Sequence, residues 1–287
     1  MTTRKARPVG RVAELWRYPV KSTLGERIET VEVDAAGVSG DRSFGVVDAA
    51  TGLVASAKRP KRWARLLELR SELVEPGLVR LQLPDGRSVV SSDGGADEVL
   101  SAFVGRDVEL RAKAAPGALL ERSDPDEILA GGADADVAFT MLELAAGAPP
   151  GTFFDFSALQ LLTTSALNRV GASHPAGAVD PRRYRPNFVI DTGPDLAGFV
   201  ENGWAGGRLR IGTDVVIDVL VPSPRCAVPT LRHGDLPPDP DALRTVRDHN
   251  FVPVPVEGFG SAPCLGAHAA VVTGGRVSVG DEVVLEG

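Results

Sequence analysis

The chain has 287 residues and a formal net charge of −7, with 43% hydrophobic and 24% charged residues, a globular composition with apolar material for one large core or two smaller ones. The acidic balance excludes a protein whose main work is neutralising nucleic-acid phosphates, and no stretch approaches the ~20 uninterrupted apolar residues of a membrane helix. The charged start, Met1-Thr2-Thr3-Arg4-Lys5, has no apolar run behind it to read as a signal peptide. Two cysteines, Cys226 and Cys264, are too few for a disulfide framework and suit a reducing compartment, so a cytoplasmic location is expected. With 32 Gly and 22 Pro, many turns join short elements.

A β-compatible run from Val9 to Val20 ends around Pro19, and Arg27 to Val33 predicts a second strand. Phe44 to Asp48 is a third, followed by a Thr51-Gly52 turn. Leu78 to Leu83 alternates apolar and polar residues, and Asp85-Gly86 turns it into Arg87 to Val90. A short helix is expected over Ala96 to Phe103. From Pro116 to Pro150 the chain is rich in Ala, Gly, Asp and Pro without a period, which reads as a linker or surface excursion. The second half starts near Phe153 with a helix after Thr163-Thr164-Ser165, whose hydroxyls suit a cap, and strands over Phe188 to Ile190, Arg208 to Ile211 and Asp214 to Val221. Asp239-Pro240 opens a helix with Ala242, Leu243 and Val246 inward. Ala267 to Thr273, Gly274-Gly275 and Val277 to Leu285 predict a closing hairpin. The fold class is mostly β with a few short helices (α+β), in two linked parts: 1–115, an excursion over 116–150, and 151–287.

Cys226 follows the apolar 214–221 run in a loop stiffened by Pro224 and Pro229, and the adjacent Arg225 favours its thiolate. The same residue also reads as a small buried hydrophobe. A zinc site formed with His233, His249 and Cys264 lacks close paired spacing. A cysteine hydrolase lacks any local sign of an oxyanion hole. Candidate anion-binding residues are Lys21 and Ser22 at the end of the first strand and Arg42 after Gly40, a residue suited to positive φ. Thr163 and Thr164 at a helix N-terminus are further candidates, as is Arg185, which Pro186 is expected to hold extended. Together with one cysteine they describe a site for a phosphate and a thiophilic metal. Lys58-Arg59-Pro60-Lys61-Arg62, with Arg65, is a short basic run in an acidic chain. It is read as a docking face for an acidic partner, the alternative being that some of its side chains turn towards the site.

Tyr18-Pro19-Val20-Lys21-Ser22, Gly40-Asp41-Arg42, Arg185-Pro186-Asn187 and Ser223-Pro224-Arg225-Cys226 resemble, in this order, the MOSC family, whose members join an N-terminal MOSC β-barrel domain to a MOSC domain. The resemblance covers nearly the whole chain and is nearest to the mitochondrial amidoxime-reducing components and their bacterial relatives. It implies a pterin-based molybdenum cofactor between the two parts, with Cys226 as the protein ligand to the metal. Lys21, Ser22, Arg42, Thr163, Thr164, Arg185, Asn187, Ser223 and Arg225 are then its implied shell. It further implies reduction of small N-hydroxylated substrates (amidoximes, hydroxylamines), with electrons from a separate ferredoxin-, flavodoxin- or cytochrome-type protein. A rival reading in the same family context is a sulfur carrier in cofactor maturation, with a persulfide on Cys226; another is a cofactor-storage protein.

Overall fold

The first strand, Arg7–Arg17, carries Val9, Val12 and Leu15 as its buried positions. In the computed structural model, which describes residues 6–256 and 260–286, this strand lies between Phe188–Asp191 and Glu282–Glu286, antiparallel to both. The sheet continues from Glu282–Glu286 through Arg208–Ile211 and Val215–Pro224 to Ser261–Thr273. Leu159–Thr163 closes it by pairing antiparallel with Ser261–Thr273 and parallel with Phe188–Asp191. The result is a closed barrel of seven strands. Its core holds Val12, Leu15, Leu161, Phe188, Ile190, Leu209, Ile217, Val283 and Trp204. Gly266 sits where the 261–273 strand presses on Leu161, with φ +79° and a Cβ position only 2.2 Å from the Leu161 carbonyl oxygen, so only glycine fits.

The barrel is not the property of the second half alone. Its first strand comes from the part expected to form a separate N-terminal unit, and Gly275–Ser278 in turn pairs with Thr30–Asp34 of that part. The expected closing hairpin does not form. After Thr273 the chain leaves the sheet at Gly274, which packs against the Val33 carbonyl, and Glu282–Glu286 joins the first strand instead. Likewise the expected 27–33 strand is two pieces in different sheets, Glu26–Ile28 on the first strand and Thr30–Asp34 on Gly275–Ser278.

A second core, built from Val20, Phe44, Val46, Trp63, Leu66, Leu81 and Leu100, gathers the Gly45–Asp48/Val108–Arg111 pair and the three-stranded Arg70–Glu75, Leu78–Gln82, Ser88–Val90 sheet. The helix Ala96–Val104 covers it and ends on a left-handed Gly105. Among the described residues no α-helix exceeds nine residues, and no helix is long and apolar enough to cross a membrane.

The stretch read as a linker or surface excursion carries secondary structure of its own. Leu119–Ser123 pairs with Phe139–Glu143, and between them Pro125–Gly131 forms a helix capped by the Asp124 carboxylate, which accepts from the Asp126 and Glu127 amides. The two arms of this hairpin are separated by a helix and an Ala/Gly/Asp-rich connection, so no tight turn signals their pairing.

Candidate functional site

Several loops leave the barrel and the second core towards one another and enclose a cavity of about 310 Å³. Eight of the ten residues expected at a site line it: Lys21, Ser22, Arg42, Arg185, Asn187, Ser223, Arg225 and Cys226. The walls carry seven cationic side chains, Lys21, Arg42, Lys58, Arg122, Arg183, Arg185 and Arg225, against two carboxylates, Glu143 and Asp155. In a chain of net charge −7, that concentration gives the cavity wall an excess of positive side chains, several of them paired with Asp155, Asp41 or Asp239.

Backbone strain gathers at the same place. Among the described residues the non-glycine positions with positive φ are Ser22 (63°), Arg42 (45°), Ala145 (59°) and Arg185 (56°). Three of these four line the cavity, and each conformation costs on the order of 1–3 kcal/mol. Arg185 is therefore not extended, although a proline follows. It ends the turn Pro181–Tyr184 in a left-handed conformation, held there because its guanidinium donates to the Thr23 carbonyl at 2.6 Å and lies 4.3 Å from the centre of the Tyr18 ring. Arg42 lies over the same ring at 4.6 Å, pairs with Asp41, and donates to the Arg185 carbonyl at 3.3 Å. Burial, together with repulsion from Arg42, lowers Arg185 to about 10.

Lys21 is buried, donating to the Phe153 carbonyl at 2.9 Å and pairing with Asp155, which Lys58 grips at 3.1 Å from its other oxygen. Burial lowers Lys21 to about 8 despite the attraction of Asp155. Burial acting alone would raise Asp155, but the two ammonium groups outweigh it and hold the carboxyl well below its usual range. The Ser22 hydroxyl accepts from the Ala57 amide at 3.1 Å, pinning the 56–58 segment to the cavity wall.

On the barrel side, Arg225 donates to the Tyr184 carbonyl at 3.0 Å and to the Ser223 hydroxyl. Burial lowers it to about 10, partly offset by the nearby Cys226 and Cys264 sulfurs. Cys226 is half-buried and lines the cavity, whereas Cys264 is buried outside it, its thiol raised to about 11 by burial. Asn187 works differently from its neighbours. Its amide nitrogen donates to Asp41 at 2.9 Å, and its oxygen accepts from the Gln160 amide at 3.1 Å, so it ties the two parts together as well as lining the cavity.

Thr163 and Thr164 are not brought to the cavity. Thr163 caps its helix through the Ala166 amide and donates to the buried Glu201 at 2.7 Å, and Thr164 donates to Asp191 at 3.1 Å. Two carboxylates therefore occupy the region where an anion was expected. The basic run also turns inward. Lys58 reaches the cavity, Arg59 donates to Ser123 and to the Val137 carbonyl, Lys61 pairs with Asp136, Arg62 grips Glu121, and Arg65 lies over Phe103. The contacts of Arg59, Lys61 and Arg62 fasten the 119–143 hairpin, while Lys61 and Arg65 stay exposed.

Sequence reasoning missed Asp155, Gln160 and His268. His268 is bound through Nδ1 to the Ser157 hydroxyl at 2.8 Å and through Nε2 to the Ser223 hydroxyl at 3.2 Å. Burial, with Arg225 adding to it, lowers its pKa to about 3, so it stays neutral. No local motif marks these residues; only the folded barrel assembles them.

The MOSC N-terminal beta barrel domain matches residues 9–111 and the MOSC domain residues 149–284. No curated protein matches. Among solved structures, the YUAD protein from Bacillus subtilis is 13% identical over 99% of this chain and 98% of its own, with a TM-score of 0.45. YiiM from Geobacillus stearothermophilus is 14% identical over 46% of this chain and 55% of its own, with a TM-score of 0.33.

Proposed function

The chain belongs to the MOSC family, which is associated with molybdenum-cofactor binding, and from this premise we propose that the cavity holds a pterin-based molybdenum cofactor and reduces N-hydroxylated compounds. The observation that carries the reading is a cavity with seven cations on its walls and one thiol, Cys226, among them. The donor set fits such a group. A soft thiolate is a natural protein ligand for a metal already held by sulfur, and planar guanidinium forks suit a phosphate and a polar heterocycle. Lys21, Arg42, Arg185 and Arg225 are buried or half-buried cations that an anion would neutralise, and Ser22, Ser223 and Asn187 fix the walls from which they project.

When bound, the cofactor would supply the two-electron reduction chemistry. The overall reaction for an amidoxime is R–C(NH2)=N–OH + 2 e− + 2 H+ → R–C(NH2)=NH + H2O. The electrons come from a separate protein of ferredoxin, flavodoxin or cytochrome type. The chain's own residues bind and orient: Cys226 presents its sulfur from the loop after Pro224, and Arg225 is locked beside it by Tyr184 and Ser223.

The test is metal analysis of protein from a host that makes the cofactor, followed by benzamidoxime turnover with a reduced dye. About one molybdenum per chain, lost in Cys226→Ser together with turnover, is the expected result. Molybdenum-free protein carrying a persulfide on Cys226 by mass spectrometry would replace this reading with a sulfur-carrier role. Molybdenum without turnover would leave a binding protein only.

A further inference from the structure

The hairpin of Leu119–Ser123 and Phe139–Glu143 leaves one sheet edge open. The Leu144 amide donates to the Ala118 carbonyl and the Asp124 amide to the Ala138 carbonyl. Bonding alternates along an antiparallel ladder, so residues 138, 140, 142 and 144 turn their backbone groups towards Leu119–Ser123, and Phe139, Met141 and Glu143 turn theirs away. The outer edge of Leu119–Ser123 is taken: the Leu119 carbonyl accepts from the Val54 amide, and the Ser123 amide donates to the Lys58 carbonyl. The outward amides and carbonyls of Phe139, Met141 and Glu143 have no hydrogen-bond partner among the described residues.

The open edge is accessible and carries apolar side chains. Phe139 is 45% and Met141 46% exposed, and Thr140 and Glu143 are exposed with them. Natural proteins blunt such edges with proline, lysine or short length. Phe251–Pro253, at the end of its own sheet, does so with three residues ending in proline. Phe139–Glu143 has five residues and neither proline nor lysine.

The charges along this edge complement each other end to end. Arg59 lies over the Phe139 ring at 4.5 Å, and Arg59 and Lys61 share a single carboxylate, that of Asp136, at 3.8 and 3.3 Å. The Phe139 end therefore carries surplus positive charge. At the other end, the exposed Glu143 carboxylate has no ion pair among the described residues.

We propose that a second copy of this chain pairs with the open edge, antiparallel about a two-fold axis through Met141. In that register Phe139 of each copy faces Glu143 of the other, and the two Met141 residues face one another. These are the residues whose backbone groups turn outward, so each facing pair exchanges both of its ladder bonds. Facing residues have Cβ atoms about 5 Å apart, which brings each Glu143 carboxylate to the Arg59 and Lys61 cations of the other copy. Leu142 and Glu143 also line the cavity, so each copy borders the other's cavity. The pairing is independent of the cofactor reading.

Two five-residue strands make a small interface and a weak dimer, with Kd about 10–100 μM. Sedimentation velocity on the whole chain, from about 1 μM to 1 mM, is expected to move from the mass of one chain to that of two. Met141→Pro costs the single chain no ladder bond, because the N–H it removes faces solvent, but it blocks the centre of the pairing. It should stay monomeric at the highest concentration, with the wild-type melting temperature at the lowest. Met141→Lys should do the same by setting two like charges face to face. Glu143→Lys and Lys61→Glu should each weaken association about tenfold or more, and mixing these two variants should restore it, since opposite charges then meet again at both ends. A wild type that stays monomeric throughout overturns the proposal, as does a dimer whose Kd moves by less than about twofold in both Met141 variants. A chain that stays monomeric but binds an added acidic ferredoxin, with binding lost in Met141→Pro, overturns it in favour of a docking edge for a donor.

Discussion

Replacing Asn187 with leucine separates two roles that the sequence left fused. A residue that only contacts a cofactor would leave the cofactor-free protein as stable as before. The structure gives the buried Asn187 side chain three further tasks: donation to the Asp41 carboxylate at 2.9 Å, donation to the Trp16 carbonyl at 3.3 Å, and acceptance from the Gln160 amide at 3.1 Å. The bond to a charged acceptor contributes about 1.5–3 kcal/mol, and the stranded Gln160 N–H costs about 1–3 kcal/mol. Asp41 keeps Arg42 and the Tyr18 amide as partners, so its charge is not left bare. The expected loss is about 3–5 kcal/mol. At roughly 2–4 °C per kcal/mol for chains somewhat shorter than this one, the cofactor-free protein should melt about 10 °C lower. Scanning calorimetry on protein from a host that cannot make the cofactor measures this directly. A melting temperature within about 2 °C of the wild type would refute the cross-link and return Asn187 to the cofactor shell alone.

The two cysteines should differ in reactivity: with its thiol raised to about 11 by burial, Cys264 should resist iodoacetamide at pH 8 in the folded protein while Cys226 is alkylated, as read by peptide mass spectrometry. Lys21 titrates near 8 against 10.5 when free, so the unfolded chain binds more protons between those values and the contribution of Lys21 to stability rises with pH across that window. In the folded protein its charge is lost around pH 8, and inorganic phosphate should therefore bind the cofactor-free protein more weakly as pH passes that value; a phosphate affinity flat from pH 7 to 9.5 would count against Lys21 as an anion ligand. A fragment beginning at Phe153 lacks the first strand, whose place is between Phe188–Asp191 and Glu282–Glu286, and should be insoluble or unfolded by circular dichroism. Arg62→Ala should loosen the hairpin by leaving buried Glu121 unpaired, which limited proteolysis between residues 119 and 143 would reveal.

Local signals served the short elements well. The Asp85-Gly86 hairpin, the 96–104 helix and the Thr163 cap all carry their chemistry within a few residues. Most of the site was legible for a related reason: Lys21, Arg42, Arg185 and Cys226 each stand in a compact motif. What escaped was set by distance along the chain. Nothing near Arg7 says that its partner is Leu285. His268 becomes part of the cavity only because the barrel brings Ser157 and Ser223 to its two ring nitrogens. Pro186 misled for Arg185, because a buried guanidinium with a 2.6 Å bond and an aromatic face outweighs a modest backbone preference. Thr163 misled in the opposite way: its hydroxyl does cap a helix, but that helix end faces Glu201.

The pairing of the first strand with the last also governs how the molecule comes into being. A ribosome at about 5–20 residues per second releases Arg7 on the order of tens of seconds before its partner Leu285 exists. For that interval Val9, Val12 and Leu15, all buried in the finished barrel, wait with an unpaired strand edge, the kind of surface that aggregates. The 70–90 sheet with its own local register is able to form early, but the barrel, and with it the cavity, closes only after the Glu282–Glu286 strand has been made. The nascent chain is therefore most exposed to misassembly at its beginning, and a substitution in the final strand should lower the yield of folded protein by stranding the first.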